Sequence, residues 1–355
     1  MLKKIIMALL LVISGVTGFF VAKAHVTLNN TLNHINRDYD TALKDVDLSG
    51  IKVNSDENVV NVLIVGNDYR EEKGYDASGL TDTMIIATMD TKHKNLKLTS
   101  LMRDMVVDIP GHGVNKLNAA NSFGGIQLLY KTIAQNFNIE LDGYVEVGFN
   151  AFEKIVNAVG GVEVELTESE ASYLNTTNYI SKKRFRNVQP GKQRLNGNQA
   201  LGYCRIRKGS VKTITGLMDD YGRTWRQRTV IKCVFGKLKS LSRSKWIELA
   251  NEVLGEYVTT DLTNDNIMEY MKDVIMMGTT EVTQLQIPIS GYFRTSYDGE
   301  YSCGSSLVLT DGVSSERNLA NNAEALNKFI FEYDSKKPFE YGTFINDDTG
   351  ASEES

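Results

Sequence analysis

The chain is poor in the residues that most often perform chemistry unaided. Three cysteines, Cys204, Cys233 and Cys303, are odd in number and stand in no CxxC or Cys/His spacing. That excludes a disulfide framework and a thiolate zinc site, and the three read as free thiols. Four histidines, at 25, 34, 93 and 112, leave few places for an imidazole general base. No G-x-S-x-G elbow or Ser/His/Asp order marks a covalent serine enzyme, and no internal repeat is present. What the chain does have is material for a core: 355 residues, 42% hydrophobic, at a net charge of −5. Such a chain is globular rather than disordered, with one large or two ordinary domains.

After Lys3 and Lys4, residues Ile5 to Ala22 carry no charge, a run close to the ~20 apolar residues that cross a bilayer as a helix. The two lysines orient such a helix with the rest of the chain outside the cytoplasm. A cleaved signal peptide is the alternative, because Ala22-Lys23-Ala24 resembles an A-x-A cleavage site. The length of the run favours an uncleaved anchor in the cell membrane. The expected organisation is a cytoplasmic tip and transmembrane anchor over 1–24, an extracytoplasmic stalk over 25–57, a folded catalytic or binding domain over 58–335 and an acidic flexible tail over 336–355.

From Val59 the segments "VVNVLIVGND", "DTMIIATMD" and "NLKLTSLMRD" are β-rich runs separated by turns. Helical patterns follow over Leu117 to Phe137, Ala151 to Val159 and Arg223 to Leu241, with strands near Tyr144 to Val147 and Val162 to Leu166. The expected fold is α/β, a mixed and largely antiparallel central sheet flanked by helices. Gly74 to Gly79, 168 to 187 and 208 to 218 read as loops.

If the first three strands form an antiparallel meander, the end of the first, the start of the second and the end of the third share one sheet edge. Asp68, Asp82 and Arg103, with Asp104 beside it, then converge. Two carboxylates at one edge suit a divalent cation such as Mg²⁺, which takes few carboxylates plus water and phosphate oxygens. Strand ends also carry Asp in ordinary turns, so both readings stand at this point.

The segment "YCRIRKGSVKTITGLMDDYGRTWRQR" carries the remaining charge. Read as a strand, "YCRIR" points Tyr203, Arg205 and Arg207 one way and Cys204 and Ile206 the other. In the helix that follows, Asp220, Arg223 and Gln227 share a stripe continued by Ile231, Val234 and Leu238. Arg226 and Arg228 fall off that stripe and are expected to matter less. Between Lys182 and Arg228 thirteen Lys or Arg face only Asp219 and Asp220, a local field suited to an anion. A solvated basic face is the plain reading of such a run. Nucleic acid is not the expected ligand, because the aromatics form no stacking platform. Arginine forks match phosphate oxygens bidentately and, beside a divalent ion, suit a pyrophosphate.

The ordered set "VLIVGNDYR", "LTDTMII", "LTSLMRDMVVDIPGHGVNKLNAANSFGG", "NAVGGVEVEL", "PGKQRLNGNQALGYCRIR" and "DDYGRTWRQR" resembles the LytR-CpsA-Psr family closely over residues 59 to about 240, and the resemblance is expected to extend over the remainder to about 333. The resemblance implies an extracytoplasmic phosphotransferase of Gram-positive-type envelopes. It would move a glycopolymer, a teichoic acid or capsule, from an undecaprenyl-pyrophosphate carrier onto peptidoglycan and form a phosphodiester. It assigns Asp68 and Asp82 to a Mg²⁺ site, with Mn²⁺ as the alternative ion, and Arg103, Arg205, Arg207 and Arg223 to the pyrophosphate. Asp104 beside Arg103, Arg70, Lys116 of "KLNAA", Asp220 and Gln227 complete the implied site, and Asp82 and Asp104 are the candidate bases. The family's prenyl tunnel has no signature in this sequence. Departures are "GND" for the commoner GSD, Cys204 at a position usual for a small residue, and a long loop from Lys208 to Met218. A lipid pyrophosphate hydrolase and a non-catalytic polyprenyl-phosphate-binding envelope regulator remain as alternatives.

Overall fold

Alternation in "VVNVLIVGN" builds the centre of the sheet, because successive side chains of a strand point to opposite faces. In this computed structural model, strand β2 (Val59–Asn67) buries Val59, Leu63 and Val65 on one face, while Val60 and Ile64 pack on the other. The structure describes residues 29–30, 32–33, 35–67, 81–240, 258–279 and 282–334. The expected anchor over 1–24, Asp68, Arg70, the Gly74 to Gly79 loop and the tail over 336–355 lie outside the described residues. Among those described, no helix is long and apolar enough to cross a membrane.

Strands β2, β3 (Thr83–Asp90) and β4 (Asn95–Leu101) form the expected antiparallel meander, with Gly66 opposite Thr83 and Ile85 opposite Ser100. Four more strands extend it: β1 (Asn36–Arg37), β7 (Gly143–Gly148), β10 (Val258–Thr260) and β11 (Val282–Ile287), in the order β1-β10-β7-β2-β3-β4-β11. Pairs β1/β10, β7/β2 and β11/β4 are parallel and the other three antiparallel. The sheet is therefore evenly mixed rather than largely antiparallel. Parallel pairing needs crossover connections, and the helices between these strands supply them.

One face of the sheet is covered by α1 (Leu117–Phe137), through Leu129, Ile133 and Phe137, and by Leu326 and Phe329 near the C-terminus. The other face, with Ile85, Met89, Leu96 and Leu98, packs against Ile231 and Phe235 of one helix and Tyr270 and Val274 of another. These helices are α5 (Asp219–Ser240) and α6 (Asn264–Met277). A second core lies beside the sheet, where α2 (Phe149–Ala158), α3 (Glu168–Thr176) and α4 (Gly197–Arg205) gather around the hairpin of β8 (Val162–Leu166) and β9 (Gly191–Leu195). Val164, Leu174, Ala200, Tyr203 and Trp225 are buried there.

Three expectations about elements are corrected. Within the stalk expected over 25–57, residues 35 to 57 pack on the domain: β1 joins the sheet edge, Leu43 is buried, and Val46, Leu48, Ile51 and Val53 lie against the core. The segment 168 to 187, expected as a loop, contains α3, whose capping box has Thr167 Oγ1 accepting from Glu170 N and Glu170 Oε2 accepting from Thr167 N. "YCRIR" is not a strand but the end of α4, begun by a second capping box between Asn196 and Gln199.

Candidate active site

The sheet register places the first half of the site. With Gly66 opposite Thr83 and β4 antiparallel to β3, Asp82 before β3 and Arg103 after β4 come to the same edge. Arg103 Nη1 donates to Asp82 Oδ1, and Arg103 Nε lies 3.5 Å from Asp104 Oδ2. Lys116 extends this chain: it precedes α1 and puts Nζ 3.3 Å from Asp104 Oδ1. Burial works against the Arg103 guanidinium, but the combined field of Asp82, Asp104 and Asp220 outweighs it and raises its pKa. Asp82 keeps 39% of its side chain exposed.

The second half comes from α4 and α5. Helix α4 ends at Arg205, and the extended Ile206 that follows lets Arg207 leave the helix. Both arginines reach one cavity because the helix stops between them, not because a strand alternates. The Arg205 guanidinium lies 4.8 Å from the Phe149 ring centroid and 5.7 Å from that of Tyr179, so two aromatic faces hold its plane. Helix α5 presents Arg223, with Nε 2.7 Å from Asp220 Oδ1, and Gln227, whose Nε2 donates to the Cys204 carbonyl at 3.4 Å.

Part of this set lines a cavity of about 440 Å³, and Arg103, Asp104, Lys116 and Asp220 join it through their ion pairs. Asp82, Arg205, Arg207, Arg223 and Gln227 stand among its lining residues; Ile64, Val147, Phe152, Ile155, Val230 and Val234 form its apolar wall. A second cavity of about 250 Å³ shares Ile64 and Ile231 with the first and continues between the sheet and α6 past Val62, Met89 and Val274. The arrangement fits an amphiphile with an anionic head and a long apolar tail. This apolar path was invisible in the sequence, since its wall draws one or a few residues each from β2, β7, α2 and α5, far apart in the chain.

Among the described residues of this cluster, Arg103, Lys116, Arg205, Arg207 and Arg223 supply five cations beside the three carboxylates Asp82, Asp104 and Asp220. Arg103 and Arg223 are ion-paired; among the described residues, Arg205 and Arg207 have no carboxylate partner. The structure thus brings together Asp82, Arg103, Asp104, Lys116, Arg205, Arg207, Asp220, Arg223 and Gln227, while Asp68 and Arg70 lie outside the described residues. Of the two described histidines, His93 pairs with Asp90 at the opposite end of β3, and His112 stacks on Phe123.

Two residue expectations change. Cys204, placed on the face away from the arginines, lines the cavity with them, and burial pushes its thiol pKa well up, leaving it protonated and inert. Arg226 and Arg228, expected to be peripheral, are fully buried: Arg226 Nε donates to Glu170 Oε1 at 2.7 Å, and Arg228 Nε to Gln284 Oε1 at 3.0 Å. A buried guanidinium without such partners would be costly.

Comparison with known proteins gives concordant relatives. Over 273 residues the chain is 28% identical to "Regulatory protein MsrR" of Staphylococcus aureus (strain COL), covering 77% of this chain and 75% of that protein. It is 36% identical over 231 residues to "Polyisoprenyl-teichoic acid--peptidoglycan teichoic acid transferase TagU" of Enterococcus faecalis (strain ATCC 700802 / V583), covering 64% and 69% respectively. Among solved structures, "TagT bound to LI-WTA" superposes with a TM-score of 0.59 at 25% identity, covering 78% of this chain and 93% of that one. The profile of the LytR_cpsA_psr family matches residues 19–316. The chain belongs to the LytR_cpsA_psr family.

Proposed function

We propose that the protein is an extracytoplasmic phosphotransferase that moves a glycopolymer from an undecaprenyl-pyrophosphate carrier onto peptidoglycan. One observation carries this reading: Arg205 and Arg207, two arginines without a carboxylate partner among the described residues, stand at the mouth of an apolar cavity. The pyrophosphate head would sit among Arg205, Arg207 and Arg223, and the prenyl tail would follow the apolar wall. The transferase name of the Enterococcus faecalis relative and the LI-WTA bound to TagT support a polyprenyl-linked glycopolymer as the donor class.

In the transfer, a sugar hydroxyl of peptidoglycan attacks the glycopolymer-linked phosphorus. The new P–O bond completes a phosphodiester as the bond to the bridging oxygen breaks, and undecaprenyl phosphate leaves with that electron pair. Arg205, Arg207 and Arg223 stabilise the charge that develops on the leaving phosphate. Asp82 or Asp104 takes the hydroxyl proton; both lie at the mouth beside Arg103.

Asp82 fits a Mg²⁺ site, or a Mn²⁺ site, because it is a partly exposed hard-oxygen donor and Mg²⁺ takes most of its ligands from water and phosphate. Asp68 would be the second carboxylate. A bound ion would neutralise pyrophosphate oxygens and so assist departure of the leaving group.

The test is incubation of the full chain with labelled lipid-linked glycan and peptidoglycan, with and without Mg²⁺. Phosphodiester-linked glycan on peptidoglycan is the expected product. Release of the glycan by water alone would mean a hydrolase, and tight lipid binding with no turnover would mean a prenyl-phosphate-binding regulator.

A further inference from the structure

Arg226 is a fully buried charge near the site, and its bonds lead to a specific place. Besides Glu170, its guanidinium donates from Nη1 to the Ile206 carbonyl and from Nη2 to the Val211 carbonyl, each at 3.0 Å. Ile206 and Val211 bracket Arg207. The last carbonyls of a helix have no partner within it, so at the end of α4 the adjacent pair Gln227 and Arg226 take up Cys204 O and Ile206 O from outside. Glu170 supplies the countercharge from the first turn of α3 while also closing that helix's capping box.

Arg207 itself is exposed, and the segment from 207 to 218 contains no helix or strand. We infer that Arg226 is a positioning residue: it tethers the main chain on both sides of Arg207 and so aims that guanidinium into the mouth of the cavity. The inference rests on the reading of Arg207 as a pyrophosphate ligand, since a donor helps the reaction only if it is fixed before charge develops. Gly222 belongs to the same device. A Cβ there would lie 3.0 Å from both Arg226 Nη1 and the Leu217 carbonyl oxygen, so a side chain at 222 would press on the guanidinium where it folds back along its own helix.

Two arms of one experiment on the full-length chain test this. In the first, hydrogen exchange is compared for wild type, Arg226→Lys, which keeps the charge beside Glu170 but not the three-way fork, and Gly222→Ala, which crowds the fork without removing it. The amides of Ile206 and Val211, which donate to the Tyr203 and Lys208 carbonyls at the two tethered residues, should exchange at least about tenfold faster in both variants, the order expected for one lost hydrogen bond to a charged group, while those of α1 keep the wild-type rate. Wild-type exchange at Ile206 and Val211 would overturn the inference. In the second arm, affinity for farnesyl pyrophosphate is measured with Arg226→Lys and Arg207→Ala, singly and combined. Arg226→Lys should weaken binding about tenfold in the wild-type background and leave it unchanged in the Arg207→Ala background. Equal losses in both backgrounds would overturn the inference, because Arg226 would then act on the fold at large. A wild-type chain that does not bind farnesyl pyrophosphate would overturn the reading of the site instead, and the exchange arm alone would decide whether Arg226 tethers the segment.

Discussion

Removing Arg205 or Arg207 should separate stability from function. Among the described residues neither has a carboxylate partner, and both sit where the described cations outnumber the described carboxylates. Truncating one relieves repulsion, so the melting temperature of Arg205→Ala or Arg207→Ala should stay level or rise slightly, while transfer falls. Thermal denaturation beside a turnover assay checks both halves; a large drop in melting temperature would make these residues structural. Glu170→Ala should behave oppositely. It leaves Arg226 charged and unpaired in the core, a change that costs about 3–5 kcal/mol, visible as a large fall in the denaturation midpoint. The sequence displayed the stripe of Asp220, Arg223 and Gln227 because helical spacing is local. It did not display the burial of Arg226 and Arg228, whose partners Glu170, Gln284 and Gln286 come from segments roughly sixty residues away on either side.

Helix α4 decides where Arg205 and Arg207 stand, and its docking depends on one missing methyl group. A Cβ at Gly197 would lie 2.1 Å from the Glu153 carbonyl of α2 and 2.7 Å from its Cα, so backbone meets backbone there. Gly197→Ala should therefore cost about 1–3 kcal/mol, as overpacking typically does, and should weaken prenyl-pyrophosphate binding as well, since α4 carries Arg205 at its last turn. Denaturation and lipid-binding titrations on the same variant check this; unchanged binding in a destabilised protein would uncouple α4 from the site. The helix was legible in part. Asn196 followed three residues later by Gln199 is a capping-box pattern, but the alternation of arginine and apolar residues in "YCRIR" imitates a strand. Short segments that satisfy both periods are settled by tertiary packing, here by Tyr203 and Cys204 facing the second core.

At the scale of the whole molecule, the sheet separates two kinds of buried charge. One end holds the charged mouth; the other holds Lys97, whose Nζ donates to Asp90 Oδ2 and to the Ile330 carbonyl, each at 2.7 Å, tying the helical turn Lys328–Glu332 to the sheet. Burial pushes the Lys97 ammonium below its ordinary pKa, with Asp90 opposing. Between the lowered folded value and the unfolded value of 10.5 the unfolded chain holds more protons, so this group makes stability rise with pH across that window and costs most below it. The stability of wild type relative to Lys97→Met should therefore increase through the alkaline range, as urea denaturation at a series of pH values would reveal; a flat difference would contradict the assignment. The meander was readable from β-rich runs and turns, whereas the parallel pairs at β7 and β11 were not, since their partners are set by crossovers that leave no local pattern. With Lys3 and Lys4 ahead of the apolar run, protease shaving of intact protoplasts should digest the folded domain, and full protection would contradict an extracytoplasmic location.

The central claim is that position rather than charge makes the arginines at the cavity mouth act on a pyrophosphate. Its most direct test is turnover of lipid-linked glycan at saturating Mg²⁺ by folded Arg205→Ala, Arg207→Ala and Arg223→Ala, set against Lys183→Ala and Lys192→Ala, exposed cations of the same basic segment. Loss of a preorganised donor to a developing oxyanion costs about 2.7–4 kcal/mol, roughly a hundred- to a thousandfold in rate, and Lys at 205 or 207 should restore only part of it. The account predicts losses of that order at the three arginines and rates near wild type at the two lysines. Similar losses at all five positions would contradict it and leave a diffuse basic patch in place of a pyrophosphate clamp.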